Sequence, residues 1–407
     1  MTPAESRSIP LCDFPGTQPD RLAVEPAFAQ WRTRTPIVRV RMPFQGNAWL
    51  LTRYRDIRAV FTSADCRRAA TSDPDTPRIL PRAGAEGLLM SLDDPEHSRL
   101  RGLLAAWFTA RRVEAMRPAT EQAARELIAD LLSAESADLV AQFAQRLSAI
   151  VIGDLLGVPR ADRDEFRRWS EAMLSSTSYT TTQVEQAARE LDEYFDHLVA
   201  HRVEQPSDDL IGVLVENAQA GQLSRREVVA LATDLLVAGF ETTAGQLTNS
   251  VYTLSMIPGA WQWLAAGRHR IGPAVEELLR VIPLGAGGFR ARVTAAPITF
   301  GTDIGNPVTV AAGEVIIAPT IAANTDPAEF ADPLSIRLDR PQAKHHLTFG
   351  HGVHRCLGAQ LARMELNVAL AELLSAFPTL ALAVPETELE WNSGLQVRGP
   401  RALPVTW

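Results

Sequence analysis

The sequence predicts a mainly α-helical protein with small β-sheets. Apolar residues recur at three-to-four spacing over most of the chain, which is typical of helices with one buried face. Short strand-like runs are concentrated in two regions, and in the second Gly, Pro and Asn separate them. The 407 residues, 46% of them hydrophobic, are enough to enclose a large interior. Without an internal repeat or a linker, we predict one domain over residues 1–407.

Alternating and β-branched residues predict a strand hairpin at 37–42 and 48–52, followed by a series of helices. Helical spacing predicts helices at about 95–107, 116–133, 138–156, 160–175, 183–204 and 224–256. The last helix begins with a capping signal, because Glu227 follows Ser224 by three residues. The remaining chain predicts a helix at 271–282, a small β region with strands near 290–300, 307–310 and 314–317, and a final helix after Gly358.

Charge and cysteine content exclude several classes of protein. The formal net charge of -8 argues against a nucleic-acid partner. Cys12, Cys66 and Cys356 are widely spaced and form no CxxC pair, so neither a disulfide framework nor a four-cysteine zinc site is indicated. The chain shows no signal-peptide pattern and no apolar run long enough to span a membrane. We therefore expect a cytoplasmic monomer that binds neither membrane nor nucleic acid.

The most informative segment is HHLTFGHGVHRCLGAQLAR at 345–363. Gly350, Gly352 and Gly358 bracket Cys356 just before a strong helical pattern, and glycine permits unusual backbone angles. At the start of a helix, backbone N–H groups and the helix dipole stabilise a thiolate and suit it to bind a metal.

Two other interpretations of this segment stay open on the residues alone. A single cysteine more often packs as a small hydrophobic residue. His351, His354 and Cys356 could together bind zinc, although H-x-x-H-x-C is not the usual spacing of a structural zinc site.

The run FGHGVHRCLG resembles the haem-binding loop of cytochromes P450, F-G-x-G-x-H-x-C-x-G. All six specified positions match: Phe349, Gly350, Gly352, His354, Cys356 and Gly358. The resemblance implies the cytochrome P450 fold, with haem b buried between a long distal helix and the cysteine loop. It also implies that Cys356 is the axial ligand of the iron, since a thiolate pushes electron density onto haem iron and favours O–O cleavage.

Two further motifs follow the order that this family shows. Glu277 and Arg280 fit its E-x-x-R pair, and their spacing places both on one helix face, where they can share a charged hydrogen-bond network. The run ANTDPAEFADPLSIRLDR at 323–340 resembles the meander of bacterial members.

A haem carries two propionates, which need cationic or hydrogen-bonding partners in the interior. By resemblance these partners are His97, Arg101, Arg292 and His354. His97 and Arg101 are four residues apart, so one helix face presents both. Taken singly, each could instead be a surface charge or a core histidine.

The long predicted helix contains Ala238, Gly239, Glu241 and Thr242, which resemble the family motif A-G-x-[DE]-T. The resemblance implies that Gly239 leaves room for dioxygen, and that the acid and the hydroxyl deliver protons. Alternatively, Thr242 and Thr243 merely donate hydrogen bonds to helix carbonyls. The acid and the threonine together favour an O2-activating monooxygenase over a non-catalytic haem sensor. A peroxide-using haem enzyme is a further alternative.

Electrons for this chemistry must come from elsewhere, because the chain has neither a dinucleotide-binding glycine motif nor an iron–sulfur cysteine set. A separate ferredoxin and ferredoxin reductase are therefore expected. Four arginines either form a docking patch for an acidic ferredoxin or are ordinary solvated charges: Arg111, Arg112, Arg355 and Arg363.

The resemblance places the substrate pocket at Val237, Phe240, Leu284, Gly287 and Phe289, with further walls at 67–91, 175–181 and 395–397. The glycine-rich turn at 283–289 either admits a large or flat substrate or is simply flexible. We expect hydroxylation or epoxidation of a secondary metabolite such as a polyketide or macrolide. The alternative is oxidative C–C or C–N coupling of a cyclic dipeptide or aromatic scaffold.

Overall fold

A computed structural model describes residues 11–14, 20–79, 89–285, 290–305 and 307–407. These residues form thirteen α-helices: α1 Pro26–Arg34, α2 Tyr54–Thr62, α3 Glu96–Ala105, α4 Ala110–Leu131, α5 Gln145–Leu156, α6 Phe166–Met173, α7 Thr181–Glu204, α8 Leu210–Gln219, α9 Arg225–Met256, α10 Ala260–Ala265, α11 Ile271–Val281, α12 Thr320–Asn324 and α13 Ala359–Ala376. They also form eleven short strands: β1 Leu11–Asp13, β2 Ile37–Arg41, β3 Asn47–Leu51, β4 Cys66–Arg67, β5 Ser136–Asp138, β6 Ala291–Thr294, β7 Ile298–Phe300, β8 Val308–Val310, β9 Val315–Ile317, β10 Ala381–Leu382 and β11 Pro404–Thr406. The predicted mainly α fold with small sheets is confirmed.

The described strands pair into three sheets, with the orders β1-β2-β3-β9-β6-β4, β10-β11-β5 and β7-β8. In the largest sheet β2 and β3 form the predicted antiparallel hairpin, with Val38 opposite Leu50. β3 also pairs in parallel with β9, where Leu50 lies beside Ile317. Strands from both predicted regions therefore meet in one sheet, whereas β7 and β8 of the second region pair only with each other.

The predicted helices are present, and several short ones were missed by the periodicity. α6 begins at Phe166 rather than near 160, because the residues after Pro159 form a tighter 3-10 turn. α1, α2, α8, α10 and α12 were not predicted. In α8, Leu210, Ile211, Gly212, Leu214 and Val215 are all buried, so this helix lacks the alternation of buried and exposed faces on which the prediction depends.

α9 is the central helix and begins with the predicted capping box. Glu227 N–H donates to Ser224 Oγ at 3.2 Å, and Ser224 N–H donates to a Glu227 carboxylate oxygen at 2.7 Å. α9 packs against α5, α6, α7, α8 and α13. It is long and apolar enough to cross a membrane, but 56% of its most apolar 18-residue window is buried inside the protein, as is typical of a core helix.

The described core has two apolar clusters. The larger one joins the helices from α3 to α13, and the smaller one surrounds the six-stranded sheet. Leu347 belongs to the smaller cluster and Phe349 to the larger, so the loop that carries Cys356 begins where the two clusters adjoin. The organisation as one domain stays a prediction.

Candidate active site

Backbone geometry fixes the loop around Cys356. The Cys356 N–H donates to the carbonyl oxygen of Phe349 at 2.8 Å, which closes the loop. Gly350 and Gly352 both have a φ of +71°, which L side chains rarely adopt. A Cβ at Gly352 would also lie 2.2 Å from the carbonyl oxygen of Phe61, so this position has no room for a side chain.

Gly352→Ala is expected to destabilise the protein by about 1–3 kcal/mol more than a glycine substitution that carries only backbone strain, because its methyl group meets a carbonyl oxygen. Gly313→Ala is the matched control, since Gly313 has a φ of +83° with no atom within 4 Å of its Cβ position. Chemical denaturation of both variants measures the difference. Equal losses of unfolding free energy would contradict the steric argument.

The Cys356 thiol lines an interior recess. The residue is exposed, yet burial among protein atoms raises the pKa of its thiol, and this combination is typical of a side chain that faces an enclosed cleft. Arg290, the Gly358 N–H and Arg101 act in the opposite direction and lower that pKa. An enclosed, electropositive thiol of this kind is suited to bind a metal as the thiolate.

The zinc interpretation is not supported. The described ranges contain no group of three or more His, Cys, Asp or Glu side chains arranged to hold a metal ion. His351 Nε2 instead lies 3.4 Å from Arg58 Nε, and His354 stacks on His97.

The structure brings the four predicted propionate partners together beside Cys356. The rings of His97 and His354 have centroids 4.1 Å apart, and Arg101 Nη2 donates to the carbonyl oxygen of Arg355 at 2.5 Å. Burial, and then Arg292 and His97, lower the pKa of His354 to about 3. Both histidines are therefore neutral at pH 7 and can donate hydrogen bonds without adding charge.

Two further arginines belong to this cluster, and the sequence analysis missed them. Arg68 Nη1 donates to the carbonyl oxygen of Ala291 at 2.9 Å, and Arg290 Nη2 to that of Thr348 at 2.6 Å. Arg290 is two residues before Arg292, and in an extended segment residues two apart lie on one face, so this spacing was a usable signal. Arg68 lies far from Arg292 in the sequence, so its spacing gave no signal that the two side chains are neighbours.

The charges of this cluster fit an anionic group. The guanidinium groups of Arg68, Arg101, Arg290 and Arg292 lie beside two neutral histidines, and the carboxylates that act on them include Asp93 and the exposed Asp94. The crowding is unfavourable, since burial followed by Arg68 and Arg290 lowers the pKa of Arg292 to about 8. Buried charges need partners of opposite sign. The two propionates of a haem would supply such partners, so these residues fit a haem held at Cys356.

Two of the predicted proton-delivery residues, Ala238 and Thr242, are accessible in the middle of α9, where most residues are buried. Ala238 is exposed, and Thr242 Oγ1 donates to its carbonyl oxygen at 2.5 Å. This back-bond is the alternative considered for Thr242, and it leaves the hydroxyl oxygen able to accept a second hydrogen bond.

Gly239 has a packing role that the sequence analysis did not anticipate. A Cβ at this position would lie 2.8 Å from Cδ1 of Ile152 in α5. The glycine thus allows α9 and α5 to pack closely, and its presence alone does not indicate space for dioxygen.

Glu241 keeps its proton at neutral pH. Burial, and then the negative charge of Glu171, raise the pKa of Glu241 to about 8, while Arg167 lowers it. Its buried Oε1 has no hydrogen-bond partner among the residues that the structure describes. A protonated carboxyl group beside Thr242 is suited to donate a proton.

Glu277 and Arg280 form a fully buried ion pair with two hydrogen bonds of 2.7 Å. Arg340, which the sequence analysis did not single out, donates to Glu277 at 3.0 Å from the predicted meander. Arg280 Nη1 donates to the carbonyl oxygen of Asn324 at 2.7 Å, and Asn324 Nδ2 donates to Thr348 Oγ1 at 2.8 Å. The pair thereby connects the meander to the start of the cysteine loop.

The predicted pocket wall is only partly described. A Cβ at Gly245 of α9 would lie 2.6 Å from Val397 Cγ1 and 3.4 Å from Leu284 Cδ1, so these side chains adjoin that helix. Val237 and Leu284 are half-buried. The remaining predicted pocket residues and part of the 67–91 wall lie outside the described residues: Gly287, Phe289 and 80–88.

Phe240 is a correction to the predicted pocket. Its side chain is 2% exposed and packs edge-on against Phe166 of α6, with ring centroids 6.5 Å apart. Helical rotation turns it towards the helix core instead of towards the accessible side of Ala238 and Thr242. Phe240 therefore stabilises the packing of α9 on α6 and does not line the recess.

Backbone hydrogen bonds join the predicted pocket wall at 175–181 to the chain beside the predicted wall at 395–397. The N–H groups of residues 176–178 all donate to the carbonyl oxygen of Gly394, at 2.7 to 3.3 Å, and Gln396 N–H donates to Leu174 O at 2.8 Å. Gln396 is 2% exposed, and its Oε1 has no partner within the described part of the chain.

The structure does not support Arg363 as part of the expected ferredoxin-docking patch. Arg363 makes a two-point ion pair with Glu276, at 2.6 and 3.0 Å, so its charge is compensated. Arg111, Arg112 and Arg355 are exposed, and Arg112 lies over the ring of Trp107 at 3.7 Å.

Comparison with known proteins agrees with this geometry. The family model described as Cytochrome P450 matches residues 273–402. The mycinamicin IV hydroxylase/epoxidase of Micromonospora griseorubida is 43% identical, and the nocardicin C N-oxygenase of Nocardia uniformis subsp. tsuyamanensis is 42% identical, each over 100% of both chains. The crystal structure of cytochrome P450mel 107F1 with biaryl coupling reactivity is 36% identical, covers 98% of this chain and 100% of its own, and has a TM-score of 0.92. The chain therefore belongs to the cytochrome P450 family and is an oxidoreductase of the P450 monooxygenase type.

Proposed function

We propose that the protein binds haem b through Cys356 and hydroxylates or epoxidises a secondary metabolite of the polyketide or macrolide class. The observation that carries this proposal is the cysteine in a closed glycine loop beside a cluster of four arginines and two neutral histidines. His97, Arg101, Arg292 and His354 would hold the propionates. When bound, a thiolate-ligated haem supplies the activation of dioxygen.

The residues of the chain itself would orient the reaction and provide its protons. Glu241 holds a proton at neutral pH, and the Thr242 hydroxyl oxygen can accept a hydrogen bond while its own O–H donates to the Ala238 carbonyl oxygen. The Gly358 N–H and the Phe349 carbonyl oxygen hold the cysteine segment in place. In the middle of α9, Ala238 is exposed and Thr242 is half-buried, while most of their neighbours on the helix are buried, so water has limited access there.

The substrate class is inferred from the relatives. The mycinamicin IV hydroxylase/epoxidase matches along its whole length, which favours a macrolide. Oxidative coupling of an aromatic or cyclic-dipeptide scaffold is a second candidate, because a solved structure with biaryl coupling reactivity shares the fold closely. Mycinamicin IV is the first probe: addition to the ferric protein should displace an iron-bound water and shift the Soret band.

A separate electron donor is part of the proposal. The exposed Arg111, Arg112 and Arg355 suit an acidic ferredoxin, which its reductase would reduce. Arg112→Glu should slow haem reduction by a ferredoxin, and Arg34→Glu, at an exposed position on α1, should not. Turnover with peroxide alone at the rate obtained with the ferredoxin system would favour the peroxide-using alternative. We also propose that the protein is a cytoplasmic monomer.

Activity is expected to fall as the pH rises above about 8, because Glu241 then loses the proton that it donates. The measurement is the fraction of consumed electrons that appears in product, followed from pH 6 to 10 with the ferredoxin system. Glu171→Gln removes the negative charge that raises the pKa of Glu241, so the midpoint should move to lower pH. Glu241→Gln should lower this fraction about 100-fold and remove the pH dependence; an unchanged midpoint in both variants would exclude Glu241 as the donor.

A further inference from the structure

Arg290 lies between the strand β6 and the cysteine loop. Its Nη2 donates to the carbonyl oxygen of Thr348 at 2.6 Å, directly before the loop. Its Nη1 lies 3.4 Å from the Cβ position of Gly350, and its Cζ lies 3.9 Å away. The guanidinium group therefore packs against the backbone of the loop itself.

The charge of Arg290 lies close to the segment that holds Cys356. The Cys356 N–H donates to the carbonyl oxygen of Phe349 at 2.8 Å. Phe349 lies between the two residues that the Arg290 guanidinium approaches, Thr348 and Gly350. The guanidinium therefore packs on both neighbours of the residue to which the cysteine backbone is bonded, and its charge also interacts with Arg68 and Arg292.

Most of the donor groups of Arg290 stay available. Within the described ranges, its side chain makes one hydrogen bond, to Thr348, and the residue is half-buried. Its guanidinium is thus fixed by the loop through Nη2, and its other N–H groups have no protein acceptor within the described ranges.

We propose that Arg290 is a positioning residue of the cysteine loop whose fixed positive charge sets how readily a haem bound at Cys356 is reduced; this rests on the proposed function. Reduction adds one electron from the redox partner and converts ferric to ferrous haem with no bond made or broken. The added negative charge is stabilised by a cation held nearby in a medium of low dielectric constant. Charge and hydrogen bonding around the thiolate are among the means by which proteins set haem potentials.

The test is the reduction potential of the haem-loaded protein without substrate, measured by spectroelectrochemistry in wild type, Arg290→Gln and Arg290→Lys. Arg290→Gln keeps a donor for the Thr348 carbonyl oxygen but removes the charge, and Arg290→Lys keeps the charge. At the same applied potential, we expect the ratio of ferrous to ferric haem to be at least tenfold lower in Arg290→Gln than in wild type. This corresponds to a reduction potential lower by about 59 mV for one electron. Arg290→Lys should stay within threefold of wild type.

Arg34→Gln is the matched control, since Arg34 is exposed at the end of α1. The shift in reduction potential relative to wild type is compared between the two variants. A shift in Arg290→Gln no larger than the shift in Arg34→Gln would overturn the proposal. If Arg290→Gln does not retain haem, haem retention and wild-type potential in Arg290→Lys support the role of the charge, and equal loss in both variants overturns it. Absence of the thiolate band in the wild type would instead refute the proposed function.

Discussion

Cys356→Ser is expected to abolish the red-shifted absorption band of the reduced, carbon-monoxide-bound protein and to remove monooxygenase activity completely. A serine hydroxyl stays protonated at neutral pH and is a harder ligand than a thiolate, so it does not replace the electron donation of sulfur. The fold should persist, because Cys356 is exposed to the recess and is no part of either apolar cluster.

The control for this experiment is Cys12→Ser, since Cys12 is a half-buried residue on β1, outside the candidate site. It should keep both the band and the activity. Circular dichroism of Cys356→Ser verifies that the variant is folded. A thiolate band that survives in Cys356→Ser would refute the assignment of the iron ligand.

Arg280→Leu is expected to lower the free energy of unfolding by about 3–5 kcal/mol, because it leaves the carboxylate of Glu277 buried without its main partner. Both side chains are 0% exposed, so water cannot solvate the remaining charge. Only single hydrogen bonds to Glu277 Oε1, from Arg340 Nε and from the Arg337 N–H, would remain, and Oε2 would lose its partner. Haem retention should fall as well, since Arg280 and Asn324 together support the start of the cysteine loop.

The chain contains a matched control on its surface. Glu114 and Arg117 have the same E-x-x-R spacing on α4 and also form a hydrogen-bonded ion pair, but their side chains are 62% and 33% exposed. Arg117→Leu should therefore change the free energy of unfolding by less than about 1 kcal/mol. Chemical denaturation of the two variants provides the comparison. Similar effects at the two positions would show that burial does not determine the strength of the Glu277–Arg280 pair.

Features that depend on neighbouring residues were predicted well. The capping box of Ser224 and Glu227, the β2–β3 hairpin and the glycine loop around Cys356 all follow from local backbone requirements. The four residues that the resemblance indicated as propionate partners also lie together, although His97 and His354 are far apart in the chain; their role stays a prediction.

Features that depend on which helix faces which neighbour were predicted poorly. Phe240 was assigned to the pocket but packs on Phe166, and Arg363 was assigned to a docking surface but pairs with Glu276. Gly239 accommodates Ile152, a contact between two helices that the sequence does not reveal. Each outcome depends on the rotation and distance of a second element, which periodicity does not encode.

The sequence by itself determined the family, the mainly α fold, the candidate iron ligand and the acid–threonine pair, because each is carried by residues adjacent in the chain or at fixed spacing. Only the tertiary structure brought Arg68 and Arg290 beside Arg292 and the cysteine loop, where the like charges lower the pKa of Arg292. It also raised the pKa of Glu241 to about 8. Charge balance and desolvation depend on distances between groups far apart in the chain, and these are set only when the helices and the sheet pack together.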